Sequence, residues 1–202
     1  MPDNGYMRVL NDEIPDPDDF DAGREQENDD PTALPGMLSA PEMERIRSLM
    51  PIPYIVAIPV KTDDSGKITE VGTLLCADDD GNVVRTVVSG RVLYGETLRE
   101  SIMRHMEKDL GAQAFPVLPP SILPFTVAEF FPSPSAQFCD PRQHAIALCY
   151  VVPVSGLCNA SDETLEIDWI KPEEALNEQF LEQIPNGFGR IVRHGLMWAD
   201  AL

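Results

Sequence analysis

The sequence predicts an α/β sandwich, and three observations carry that expectation. Apolar or β-branched runs at residues 54–61, 68–76, 83–88, 125–131, 144–154 and 165–170 have strand length and are interleaved with a few helical patterns. The main amphipathic helix pattern follows a strand and a glycine-containing loop. The run at 144–154 is strongly apolar, as expected of a central strand buried on both faces.

A chain of 202 residues has the size of one domain with extensions. Its net charge of −19 argues against a nucleic-acid backbone or an anionic membrane as the main partner, because both would be repelled. A small anionic ligand is compatible with that charge if local cations meet it. Cys76, Cys139, Cys149 and Cys158 have no close C-x-x-C spacing, so idle or buried thiols are expected rather than a zinc site. No apolar run approaches the ~20 residues of a membrane helix and no signal peptide is apparent, so the expected location is the cytoplasm.

In chain order, residues 1–37 are rich in Asp, Glu, Pro and Asn and are expected to form a disordered acidic tail, leaving 38–202 as the folded domain. The alternative for the tail is a docking or autoinhibitory arm carried by Tyr6, Met7, Val9 and Leu10. Ser39-Ala40-Pro41-Glu42 has the form of a capping box and opens a short helix to about Leu49, which Pro51 and Pro53 end. The strands at 54–61, 68–76 and 83–88 form an antiparallel meander, with turns at 63–66 and 78–82. The acidic turn at 78–82 lacks the alternating ligands and the glutamate of a calcium loop, and a solvated hairpin explains it. Residues 116–124 are a proline-rich extended connection. Residues 132–143 form a long loop between the strands 125–131 and 144–154. A polar loop near 159–162 leads into the last strand at 165–170. A short helix starts at Pro172, and 188–202 has amphipathic helical spacing.

The most informative stretch is SGRVLYGETLRESIMRHMEKDLG at 89–111. Gly90, Glu96, Arg104 and Gly111 fall on the fixed positions of the pattern G-x5-E-x7-R-E-U-x-E-E-x-G-U, with Met106 at the first apolar position. On these residues the chain resembles the Nudix hydrolase superfamily, and with FTVAEFFPSPS and DPRQHAIALCYVVPV it is also similar to an uncharacterised Nudix-like family whose box is degenerate. The resemblance implies an α/β/α sandwich with a mixed sheet. It also implies a loop–helix–loop whose acids hold Mg²⁺ or Mn²⁺ against a phosphate chain, where the metal neutralises charge and generates a nucleophile.

Three of the family's glutamates are replaced. His105 follows the arginine, and Lys108 and Asp109 stand where the paired acids belong. On a helix from about Thr97, 100° steps place Leu98, Ile102, Met103, Met106 and Leu110 on one apolar arc, with His105, Lys108 and Asp109 at its border. The candidate catalytic residues are Glu96, His105 and Asp109, and the candidate metal ligands are Asp109, His105 and Glu107. An ammonium has no lone pair to give a metal, so Lys108 counts with Gly90, Arg104 and Gly111 as structural box residues. Glu96, Glu100 and Glu107 share a face near Arg104, and the resemblance implies that Glu96 and Arg104 brace the loop and helix.

A second constellation lies in the long loop. Arg142 is a candidate for binding phosphate, His144 for shuttling a proton or ligating, and Phe138 or Phe131 for stacking on a base. Each has a plainer counterpart: Arg142 pairing with Asp140, His144 capping a strand, the phenylalanines filling core. Cys149, inside an apolar strand, is not a nucleophile candidate, and His194 with Arg190 and Arg193 is read as surface.

The expected function is binding of a nucleotide or related diphosphate metabolite, with metal-dependent hydrolysis weakened or lost. One alternative is a Mg²⁺- or Mn²⁺-dependent hydrolase of a nucleoside diphosphate linked to another group. The other is a non-enzymatic interaction module that uses the acidic tail. A small-molecule partner is expected in the first two cases, and a homodimer is compatible with each.

Overall fold

In the computed structural model, which describes residues 38–77, 81–160 and 164–200, two strands organise the rest. The described residues fall in one unit, Pro35–Leu202. The acidic tail lies outside them, as do Asp78 to Asp80 of the acidic turn and Ser161 and Asp162 of the polar loop.

Helix α1 (Ala40–Leu49) precedes β1 (Ile52–Thr62) and β2 (Ile68–Ala77). Next come β3 (Val83–Thr86), β4 (Val88–Arg91), α2 (Leu98–Leu110) and β5 (Ala114–Pro116). The chain continues through β6 (Thr126–Phe130), β7 (Ala145–Gly156) and β8 (Glu166–Ile170) to α3 (Pro172–Ala175), α4 (Glu178–Leu181) and α5 (Phe188–Asp200).

β1 and β7 run parallel in an unbroken register from Ile52↔Ala145 to Val60↔Pro153. Antiparallel partners surround them: β2 and β4 pair with β1, β6 and β5 with β7, and β3 and β8 with β2. The sheet is therefore mixed, as the resemblance implies. Successive residues of β1 alternate between two cores, which is why its sequence is an apolar run without polar alternation. Val56, Ile58 and Val60 face one core with Met43, Ile191, Val192 and Leu196. Ile55 and Ala57 face the other with Leu74, Val88, Ile102, Met106 and Leu110 of the α2 side. Helices thus cover both faces, α2 on one and α1 with α3–α5 on the other, giving the α/β/α sandwich. Each fully buried Ile or Val here contributes about 1.5–3 kcal/mol relative to exposure.

The predicted strand over 83–88 is two strands. Thr86 pairs with Leu74 of β2, whereas Val88 pairs with Ala57 of β1, so the chain changes partner at Val87, which is 1 % exposed. The pattern cannot reveal that switch, because burial continues through it. β5 and α4 were not expected. β5 gains its identity only from pairing with the end of β7, and α4 is a single turn capped by the Asn177 side chain. The capping box at Ser39 forms, with the Glu42 carboxylate accepting from the Ser39 N–H at 2.8 Å. No helix among the described residues is long and apolar enough to cross a membrane.

Candidate functional site

The loop entering α2 is fixed by one carboxylate. Glu96 accepts from Arg104 Nε at 2.6 Å and Nη2 at 2.8 Å, and its Oε2 also accepts from the Leu93 N–H at 2.9 Å. Arg104 Nη2 reaches on to the Arg91 carbonyl at 3.0 Å. The Arg104 hydrogen bonds hold the Glu96 carboxyl at about 2, against its ordinary 4.5. Glu96 is thus engaged as a brace tying β4, the loop and the helix together. Thr97 caps α2, its hydroxyl accepting from the Glu100 N–H at 3.2 Å while the Glu100 carboxylate accepts from the Thr97 N–H at 2.8 Å. Of the two other glutamates on this face, Glu100 is therefore the partner of the cap and Glu107 is exposed.

His105 occupies a different place from the one its helical position suggests. The predicted apolar arc includes Met103, which is 41 % exposed, while His105 is only 7 % exposed and packs beneath the helix. Its Nε2 lies 3.0 Å from the Arg91 carbonyl, an atom that can only accept, so that nitrogen carries the proton. Burial, aided by the Arg104 and Lys108 charges, pushes the imidazole below its ordinary 6.5 and keeps it neutral. The ring lies directly on Gly90: a Cβ there would fall 1.8 Å from His105 Cε1. Glycine at the first box position is what lets the imidazole fit against the strand. At the other end, Gly111 closes α2 with φ 87°, a conformation that disfavours side chains.

These donors do not match a divalent-cation cluster. Nε2 of His105 is committed to a carbonyl, Lys108 offers an ammonium, and Glu107 projects into solvent. Asp109 is half-buried. Among the described residues no three His, Cys, Asp or Glu side chains converge closely enough to hold a metal ion.

The long loop and the sheet enclose a cavity of about 470 Å³ on the face opposite α2. Tyr54, Thr86, Ser89, Arg142, Asn186 and Phe188 supply its polar and aromatic lining. Ser89 reaches it because it follows Val88 and precedes Gly90 on β4, so its side chain points away from α2. Asp140, 9 % exposed, accepts from Arg142 N at 3.1 Å, Nε at 3.0 Å and Nη2 at 3.2 Å, and from Gln143 Nε2 at 2.9 Å. Burial raises the Asp140 carboxyl, but these hydrogen bonds outweigh it and hold the group below the usual carboxylate range. The same pairing raises the Arg142 guanidinium. Gln143 in turn accepts from Arg47 Nε of α1 at 3.1 Å, so one polar chain links α1 to the cavity.

The other loop candidates lie apart from this chain of contacts. The ring of Phe138 packs on Phe130 at 5.5 Å, and the ring of His144 stacks on Phe131 at 4.6 Å. Burial pushes the Cys149 thiol up to about 12, which leaves it inert. His194 is exposed and meets the Phe125 edge. The structure joins Arg142 to residues the sequence reading passed over, namely Tyr54, Ser89, Gln143 and Arg47. Tyr54 and Ser89 sit inside strands whose neighbours across the sheet are not written in the chain, and Arg47 lies on α1, far from the loop in sequence.

A family model described as Domain of unknown function (DUF4916) matches residues 33–201. A crystal structure from Jonesia denitrificans DSM 20603, described as a possible asymmetric diadenosine tetraphosphate hydrolase, is 44 % identical, with 75 % of this chain and 96 % of that one covered at a TM-score of 0.72. Two more distant structures share the fold. The MutT protein from Methanosarcina mazei Go1 is 18 % identical over 76 % of this chain and 96 % of its own, with a TM-score of 0.53. The NUDIX domain of Shewanella oneidensis NrtR, solved with ADP ribose, is 14 % identical over 82 % and 100 %, also at 0.53. No curated protein matches the chain. Box spacing, sheet topology and these matches agree: the chain belongs to the DUF4916 family, and its fold is that of the Nudix superfamily.

Proposed function

We propose that this protein binds a nucleotide or related diphosphate metabolite, and that hydrolysis by the superfamily's metal route is weakened or lost. The observation that carries the reading is the split between architecture and donors. The Glu96–Arg104 brace keeps the shape of the box, while His105 packs on Gly90 and Lys108 brings a positive charge to an acid position. The 470 Å³ cavity behind the box strand supplies aromatic, hydroxyl and guanidinium groups for a nucleotide. The likeness to a structure described as a possible diadenosine tetraphosphate hydrolase, and to a domain solved with ADP ribose, supports that class of ligand.

Thermal denaturation against ADP-ribose and diadenosine tetraphosphate tests it. The expected result is stabilisation without added Mg²⁺, worth about 2.7 kcal/mol at a hundred times the dissociation constant. No shift for either compound, well above millimolar concentration, overturns the reading.

The 44 % identity to that candidate hydrolase also favours a second reading. In it the protein is a Mg²⁺- or Mn²⁺-dependent hydrolase of a nucleoside diphosphate linked to another group, with Asp109, Glu107, Glu96 and His105 as its working residues. Turnover with either metal, abolished by Asp109→Ala, is its signature. Turnover that appears only in Lys108→Glu supports the degenerate site instead.

A further inference from the structure

The sheet face that α2 packs on is covered over only part of its width. Strand register places Pro53 of β1, Ile146 of β7 and Glu129 of β6 in one row, because Ile146 pairs directly with each of the other two. Val127, the partner of Leu148, lies in the next row on the same face. Alternation puts Phe131 and His144 there as well, and their rings stack with centroids 4.6 Å apart. On the opposite face of these strands Ala128, Phe130, Ala145 and Ala147 are at most 2 % exposed. On this one Val127 is 54 %, Phe131 40 % and Ile146 38 % exposed, with Pro53 and Glu129 exposed beside them. Among the described residues, α2 and the connection at 117–125 pack over the continuation of these strands at Tyr150 and Val152. The strands are bare before that point.

Contiguous apolar surface held in register on a rigid sheet marks a contact face, and its charges select the occupant. A chain of net charge −19 repels its own copy over most of its surface. Among the residues of this face there is one carboxylate, Glu129, and one imidazole, His144. Glu129 lies about 5 Å from Ile146 across the sheet, and His144 about 7 Å from it along β7. A two-fold axis that passes over Ile146 and bisects those two directions sets Ile146 against its own copy. It also sets Glu129 of each protomer against His144 of its partner, so the face is complementary to itself. Nε2 of His144 is covered, which leaves Nδ1 to meet the carboxylate. Such an axis crosses the two sheets near a right angle, one of the two ways in which sheets stack. We propose that this face is the interface of a homodimer, with Ile146 on the axis and Glu129 paired to the partner's imidazole. None of Pro53, Val127, Glu129, His144 and Ile146 lines the 470 Å³ cavity, so the interface stands apart from the ligand site proposed above.

Sedimentation equilibrium of the full chain tests the interface. The parent is expected to dimerise reversibly as its concentration rises. Ile146→Lys sets two ammonium groups against each other on the axis and is expected to be monomeric, and Glu129→Lys to raise the dissociation constant at least about tenfold. Val83→Lys, at an apolar residue 63 % exposed on the opposite edge of the sheet, leaves the dimer unchanged. Because the axis passes over Ile146, mild oxidation of Ile146→Cys is expected to link two chains through that position, identified by peptide mass. Val83→Cys yields no more linked dimer than the parent. If Ile146→Lys fails to fold, Ile146→Cys and Glu129→Lys carry the test. A parent that stays monomeric at every concentration overturns the proposal and leaves the face to some other partner. A dimer indifferent to both lysine substitutions on this face, or one that Ile146→Cys links no better than Val83→Cys, overturns it equally.

Discussion

At the scale of single residues, Glu96 and His105 show how a box position acquires its role from what it touches. Glu96 spends its oxygens on Arg104 and the Leu93 N–H, so removing its charge undoes the brace between loop and helix. Glu96→Gln is expected to lower unfolding free energy at neutral pH by about 1.5–3 kcal/mol, the worth of charge-assisted hydrogen bonds. The pH dependence has a definite sign. The folded carboxyl titrates at about 2 and the unfolded one near 4.5, so the stabilisation is complete above about 4.5 and is lost as pH falls toward 2. Urea unfolding from pH 6 to 3 should show a shallower decline for Glu96→Gln than for the parent; identical slopes would mean the brace does not act. The spacing of Glu96 and Arg104 made this pair legible in the sequence. The burial of His105 was not legible, because a helical wheel places it at a border and only the proximity of β4 decides that it goes under.

At the scale of elements, α2 docks on β4 through a matched pair. Gly90 has no Cβ because the His105 ring occupies that volume, and His105 is tethered by the carbonyl of the next strand residue, Arg91. Gly90→Ala is expected to cost about 1–3 kcal/mol through overpacking. The cost should largely vanish in a His105→Ala background, where the methyl has room. Denaturant unfolding of the four proteins in that cycle checks it: an equal Gly90→Ala cost in both backgrounds would assign the glycine to some other constraint. Apart from β5 and α4, the strands and helices were readable to within a few residues from apolar runs, proline and the Ser39 capping box. The division into β3 and β4 was not, because a strand that trades one partner for another keeps the same burial pattern along its length.

Across the whole molecule, charge and topology act together. A net charge of −19 repels itself, and salt screens that repulsion as the Debye length falls from about 30 Å at 0.01 M to about 8 Å at 0.15 M. The melting temperature is expected to rise over that range, by about 2–4 °C for each kcal/mol of repulsion relieved. A fall would mean that ion pairs such as Arg104–Glu96 and Arg85–Asp168 outweigh net repulsion. The parallel β1–β7 pair joins segments about ninety residues apart and carries both cores. It brings the box strand to one side and the 131–144 loop to the other.

By itself the sequence determined the sandwich, the box helix with the spacing of Glu96 and Arg104, and the chemical mismatch at positions 105, 108 and 109. Periodicity, capping and motif spacing are local properties, written in consecutive residues. Of the two readings the loop left open for Arg142, the structure chose the pair with Asp140. Tertiary structure alone decided that His105 packs on Gly90 and that Arg91 stands beside Tyr54. Those relations depend on which strands pair and in what register, and register places residues from distant segments within contact on one face.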